Sequence, residues 1–285
     1  MLTKVFAARR VPGESWEKLR EPAGTTAWRA VIGGARADRV GHAFAIGYQA
    51  AIEALAGEGS AALCVTEEGG NHPRAIRTRL ADGRVTGSKQ WATLADHAAH
   101  LLVVATEGDD AAGRPRLKVV RVPTSAPGLT LEMSAAAFVP EIAHARVTLE
   151  AVAGEVLPGD GYADYVKPFR TIEDIHVHGA LAGYLIGVAR QRGFPHGIAE
   201  RLAMVAAALA ALGAEDPKSP ATHVALGGAI ATTGAIVAEV EAAWAQVPDE
   251  EWVRWQRDRP ILQVAGKARG ERLARAWEAV VAYGT

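Results

Sequence analysis

The residues whose types and spacing could do chemistry fall in three places. Glu173-Asp174, followed by His176, sets two carboxylates and an imidazole on one short stretch. A glutamate buried against an apolar ligand can take a proton from carbon. The same pair also suits the first turn of a helix, where the macrodipole favours negative charge. Glu173-x-x-His176 has the spacing of two metal ligands on one helix face, but its only counterpart, Glu141-x-x-His144, lies among strand-like segments, so no metal centre is expected. The runs Cys64-Val65-Thr66-Glu67-Glu68-Gly69-Gly70 and Lys89-Gln90-Trp91-Ala92-Thr93 carry hydroxyls, a carboxylate and an indole. Strand propensity alone accounts for Thr and Trp in such runs. There is no Gly-x-Ser-x-Gly elbow and no P-loop, and Cys64 reads as a small buried hydrophobe, so hydrolase and nucleoside-triphosphate chemistry have no motif.

These groups need elements to position them. A chain of 285 residues, 49% hydrophobic, can bury one large core or two ordinary ones. Thirty-one basic against 32 acidic residues leave a formal charge of -1, with no electrostatic footprint for nucleic acid or an anionic membrane. Small molecules and further copies of the chain are the expected partners. A single cysteine fits a reducing compartment, and the cytoplasm is expected. No uninterrupted apolar run of bilayer-spanning length stands out.

Three textures follow one another. Residues 1–60 hold turn formers and then an Ala-rich helical stretch with Val40, Phe44, Gly47, Tyr48 and Ala51 on one face. Residues 61–160 are short apolar or alternating runs broken by Gly, Pro and Asp, with a hairpin turn at Asp82-Gly83, which favours an antiparallel β-barrel or sandwich over a βαβ sheet. Residues 161–285 predict helices near 164–191, 194–213, 220–246 and 260–282, with a short piece at 249–257, punctuated by prolines. The predicted fold class is α+β: partial N-terminal helices, a central antiparallel β-barrel and a C-terminal four-helix bundle. Trp244, Trp252, Trp255 and Trp277 are read as packing or interface residues.

That order, with the residues in it, resembles the acyl-CoA dehydrogenase family over about residues 35–285. Cys64 to Gly70 resembles the first half of the family's flavin-loop signature, and Lys89 to Thr93 its Lys-x-Trp-Ile-Thr strand. Gly87-Ser88-Lys89 resembles its Asn-Gly-x-Lys turn, Pro127-Gly128-Leu129 its Pro-Gly-Val element, and Val147 to Tyr162 the strands and glycine turn that lead into the bundle. The resemblance implies a flavoprotein that binds FAD and oxidises an acyl thioester, as in fatty acid metabolism. Trp91 would pack on the isoalloxazine, Thr93 would bond near N5, and Thr66 with the Glu67–Gly70 backbone, Gly69 included, would serve the pyrimidine edge. A planar ring needs an aromatic wall and a few fixed donors. Arg192 and Phe194 approximately match residues that hold the flavin pyrophosphate of a neighbouring subunit, and a homo-oligomer, or pairing with a complete dehydrogenase, is implied.

The sequence departs from the family at named positions. Asn71, His72 and Pro73 stand where the family continues Gly-Ser-Asp, leaving His72 as the substrate-side candidate. Glu173-Asp174 stands where the family carries Glu-Arg or Thr-Arg, and an arginine replaced by a carboxylate is not conservative. Ala282-Tyr283-Gly284-Thr285 falls where the family's Gly-Gly-x-Gly-Tyr turn should start, ahead of the usual catalytic glutamate. Glu173 matches the alternative position used by a minority of members. Two expectations follow: α,β-dehydrogenation of an acyl thioester with Glu173 as base, or a catalytically degenerate member acting as a binding or structural subunit.

Overall fold

The computed structural model describes residues 1–134 and 136–282, so Tyr283-Gly284-Thr285 lies outside the described residues. The chain divides into two compact units. One joins Met1–Ala54 to the residues from Thr171 onward, and the other is Leu55–Arg170.

The first unit is helical: α1 (Leu2–Ala7), α2 (Trp16–Leu19), α3 (Thr26–Arg36), α4 (Val40–Ala56), α5 (Lys167–Arg192), α6 (His196–Leu212), α7 (Pro220–Trp244), α8 (Glu250–Asp258) and α9 (Gly266–Ala282). Their starts are chemically marked. Thr25 Oγ1 accepts from Trp28 N–H at α3, Asp249 Oδ1 from Trp252 N–H at α8, and Pro220 occupies the first turn of α7. The N-terminal helices belong with the C-terminal ones because glycines let backbones meet. A Cβ on Gly34 of α3 would lie 2.0 Å from the Ala180 carbonyl oxygen of α5, one on Gly183 2.0 Å from that of Val31, and one on Gly47 2.7 Å from Val177 Cα. A side chain at any of the three would push α5 away from its neighbours.

By length and composition alone α7 is apolar enough to cross a membrane. In this fold Leu226, Ile236, Val240 and Trp244 of α7 are buried, while Glu239 and Glu241 pair with Arg201 and Arg259.

Among the described residues the second unit is one eight-stranded sheet: β1 (Ala61–Cys64), β2 (Arg79–Ala81), β3 (Arg84–Thr93), β4 (His100–Asp109), β5 (Pro115–Pro123), β6 (Leu129–Ser134), β7 (His144–Ala153) and β8 (Glu155–Val156). The order is β6-β7-β3-β2-β4-β5-β8, with β1 paired to β4. The sheet is mixed rather than wholly antiparallel, since β1 and β2 run parallel to β4. A parallel pair usually needs a helical crossover; here the β2–β3 hairpin itself lies in the connection between β1 and β4. That hairpin turns at Asp82 and Gly83, both at positive φ, as a two-residue loop requires. Alternation along β7 buries Ala145, Val147 and Leu149, then slips at Ala151 so that Val152 is the next residue inward. Cys64, fully buried in this core, has its thiol pushed up to about 12 by burial.

Candidate active site

The two motif segments are locked to each other by a buried charge pair. Glu67 lies just after Thr66, and its carboxylate accepts from Lys89 Nζ at 2.6 Å, Arg77 N–H at 2.7 Å and Thr78 N–H at 3.1 Å. Lys89 is fully buried and also donates to the Val65 carbonyl. Burial penalises both charges. For Glu67 the Lys89 ammonium and the two amides outweigh that penalty and hold the carboxyl below its ordinary range, whereas for Lys89 the penalty prevails and the ammonium is lowered. Beside the pair, Gln90 N–H donates to the Thr66 carbonyl at 2.7 Å. Thr66 is half-buried. Glu67 and Gly70 exchange both backbone hydrogen bonds around the tight turn Glu68-Gly69, with Gly70 at positive φ. The amides of Glu67 and Gly70 are therefore spent inside the loop; a flavin edge would meet the turn at Glu68 and Gly69, not at those two groups.

The pairing of β3 with β7 steps from Lys89↔Val147 to Ala92↔Ala145, so Gln90 and Trp91 together oppose Arg146. That extra residue is a β-bulge. Trp91 sits in it at φ +60 with its side chain 64% exposed, between buried Lys89 and buried Ala92. A left-handed backbone at a bulky residue costs of order 1–3 kcal/mol and persists where the surroundings impose it, which is commonest at functional sites. The strand thus presents a flat indole outward instead of burying it.

Thr93, two residues on, places its hydroxyl 3.2 Å from His144 Nδ1, and the His144 ring stands edge-on to Trp91 with centroids 6.1 Å apart. Burial lowers the His144 pKa, so the imidazole is neutral at pH 7. His144 is the residue that motif reading passed over. Its only sequence signal was the Glu141-x-x-His144 spacing, which pointed to a different chemistry.

His72 caps the single turn Pro73–Ala75, its Nδ1 accepting from Arg74 N–H at 3.3 Å. It is exposed and lines an open groove of about 830 Å³ together with Arg74, Arg116, Lys118, Asp160 and Tyr162.

The remaining candidates lie in the helical unit. Glu173 is half-buried on α5, past the first turn that begins at Lys167, so the first-turn reading does not hold. The neighbouring Asp174 is buried and paired with Arg269, at 2.8 Å, and with Arg272, both on α9. The arginine that the sequence lacks beside Glu173 is thus offset by a carboxylate there and two arginines brought in from another helix. His176 is committed on both ring nitrogens, Nδ1 to the Ile172 carbonyl at 2.7 Å and Nε2 to Thr26 Oγ1 at 2.8 Å, which leaves neither for a metal.

Arg192 and Phe194 are placed differently from the expectation. Arg192 pairs with Asp249 and Glu251 and lies 4.7 Å over the Trp244 ring, while Phe194 is buried edge-on against the same indole. Glu251 also takes Arg10 and the Tyr184 hydroxyl. Both residues are engaged in the helical core.

No family model and no curated protein matches the chain by sequence. Solved structures do match in shape. FkbI, for biosynthesis of the methoxymalonyl extender unit of the Fk520 polyketide, aligns with a TM-score of 0.58 at 22% identity, over 94% of this chain and 86% of that one. Butyryl-CoA dehydrogenase from Megasphaera elsdenii aligns with a TM-score of 0.64 at 14% identity, over 88% and 82%. A glutaryl-CoA dehydrogenase from Mycobacterium smegmatis, in complex with FADH2, aligns with a TM-score of 0.53 at 15% identity, over 76% and 65%. The chain has the acyl-CoA dehydrogenase fold.

Proposed function

We propose that this chain is a divergent flavoprotein of the acyl-CoA dehydrogenase type, binding FAD on its sheet unit and oxidising an acyl thioester or a related substrate. The observation that carries the reading is Trp91, an exposed indole held outward by a strained bulge beside the Thr93 hydroxyl. That is the aromatic wall and fixed polar group a planar ring needs. Trp91 would stack on the ring, Thr93 would bond at its edge, and Thr66 with the Glu68-Gly69 turn would flank it. FAD, when bound, supplies the acceptor for the hydride leaving the substrate β-carbon. The protein's own part is to hold the ring, keep the thioester beside it and remove the α-proton, a task assigned to the Glu173 carboxylate. His72, on the groove with Arg74, Arg116 and Lys118, would hold the polar end of the thioester. The expected assembly is a homo-oligomer or a complex with a complete dehydrogenase.

Titration with FAD tests the reading. The protein is expected to take up the cofactor, turn yellow and lose tryptophan fluorescence, and Trp91→Ala is expected to weaken FAD by about 1–3 kcal/mol, roughly ten- to a hundredfold. A protein that stays colourless in excess FAD sinks it.

A second reading has its own support. With Arg192 and Phe194 spent in the core and Asp174 where the family carries arginine, the chain is a non-catalytic binding or structural subunit. Glu173→Gln separates the two. Under the first reading it lowers thioester turnover by at least about a hundredfold with FAD binding intact; under the second there is no turnover for it to lower.

A further inference from the structure

Helix α5 carries two unlike faces. Ala180 and Gly183 meet α3, while Leu181 and His178 line a cavity of about 590 Å³ shared with α7, the turn Arg259–Gln263 and the start of α9. That volume lies in the range of small-molecule sites, roughly 300–1,000 Å³, which are mostly apolar with a few convergent polar groups. Leu181, Ile230, Val237 and Leu262 supply the apolar wall.

The polar groups are incompletely used. His178 is 4% exposed, and neither of its ring nitrogens has a hydrogen-bond partner among the described residues. Native interiors rarely leave a donor and an acceptor unpaired, and each case calls for an explanation. Arg269 gives Nε to Asp174 and Nη1 to the Leu262 carbonyl, both at 2.8 Å. His178 and Arg269 both line the cavity. Arg259 of the lining is paired with Glu241, whereas Arg269 shares the single carboxylate of Asp174 with Arg272, which leaves one cation in excess beside His178. An anionic head is therefore favoured over a cationic one.

We infer that this cavity binds a small monocarboxylate with an apolar tail, its carboxylate accepting from the Arg269 guanidinium and from a His178 ring N–H. The site uses no residue assigned to the flavin or the thioester, so it stands or falls independently of that reading.

Octanoate is the probe, titrated into the full chain by calorimetry. It is expected to bind saturably, and 1-octanol, with the same tail and no charge, at least about tenfold more weakly. Gly234 of α7 lines the cavity, and a Cβ there meets nothing within 4 Å. Gly234→Leu is thus expected to fill the space, melt no lower than the parent because a helix glycine is removed, and weaken octanoate at least about tenfold. His178→Leu, which removes the ring N–H, is expected to weaken it similarly. The inference is overturned by non-saturable octanoate binding, by octanol binding as tightly as octanoate, or by folded Gly234→Leu and His178→Leu proteins that bind octanoate like the parent.

Discussion

Lys89→Met is expected to destabilise the sheet unit by about 3–5 kcal/mol, because it leaves the Glu67 carboxylate buried without its cation. In a unit of this size that lowers the melting temperature by roughly 10 °C. The Arg77 and Thr78 amides still bond the carboxylate, which sets the loss nearer the lower end of that range. Adding Glu67→Gln removes the uncompensated charge while keeping an acceptor for those amides, so the double variant should recover most of the stability. The pair also ties the Thr66 loop to the strand that carries Trp91, so FAD affinity should fall with Lys89→Met and return with the second change. A Lys89→Met protein that melts like the parent would show that the pair contributes nothing to holding the two segments together.

The helical unit is expected to lose stability as the pH falls from about 6.5 to about 4. Burial, working against the Ile172 carbonyl and Glu53, pulls His176 down to about 4; burial likewise pulls His178 to about 4, with Asp174 opposing. In the unfolded chain both titrate near 6.5. Within that window the unfolded state binds more protons, so stability rises with pH and levels off above the unfolded value. Each histidine contributes on the order of 3 kcal/mol across the window. The depressed carboxylates Glu21 and Asp38 act lower, as the pH falls below the usual carboxylate range. Helix melts followed by circular dichroism at closely spaced pH values check this: His178→Leu should remove about half of the slope, and a melt that is flat between pH 4 and 6.5 refutes the assignment.

Much of the architecture was legible in the chain because local rules agreed with the fold. Prolines marked α5 to α8 to within a few residues, and Asp82-Gly83 announced its hairpin, whereas the helix expected from residue 260 is a short turn at Arg259–Gln263 before α9 starts at Gly266. The parallel pairing of β1 with β4 was not legible, since no helix separates the two strands in sequence. The site was readable in residue types but not in posture. Nothing in Lys89-Gln90-Trp91-Ala92-Thr93 signals an extra residue opposite Arg146 or a positive φ at Trp91; the partner strand β7 imposes both. His144 could be found only once β3 and β7 were paired, because Thr93 and His144 are 51 residues apart. Likewise Asp174 reads as a lost arginine until α9 brings Arg269 and Arg272 against it, and nothing in the sequence joins Arg192 and Phe194 to Trp244 and Glu251, which enclose them.

Cys64 gives the chain a built-in clock. It is the single thiol, it is fully buried in β1, and at a pKa of about 12 almost none of it is nucleophilic thiolate at neutral pH. An alkylating reagent can therefore reach it only when β1 leaves the sheet, and the labelling rate counts those openings. The helical unit has no thiol and stays silent in the same tube, so one time course of mass change reports the breathing of the sheet alone.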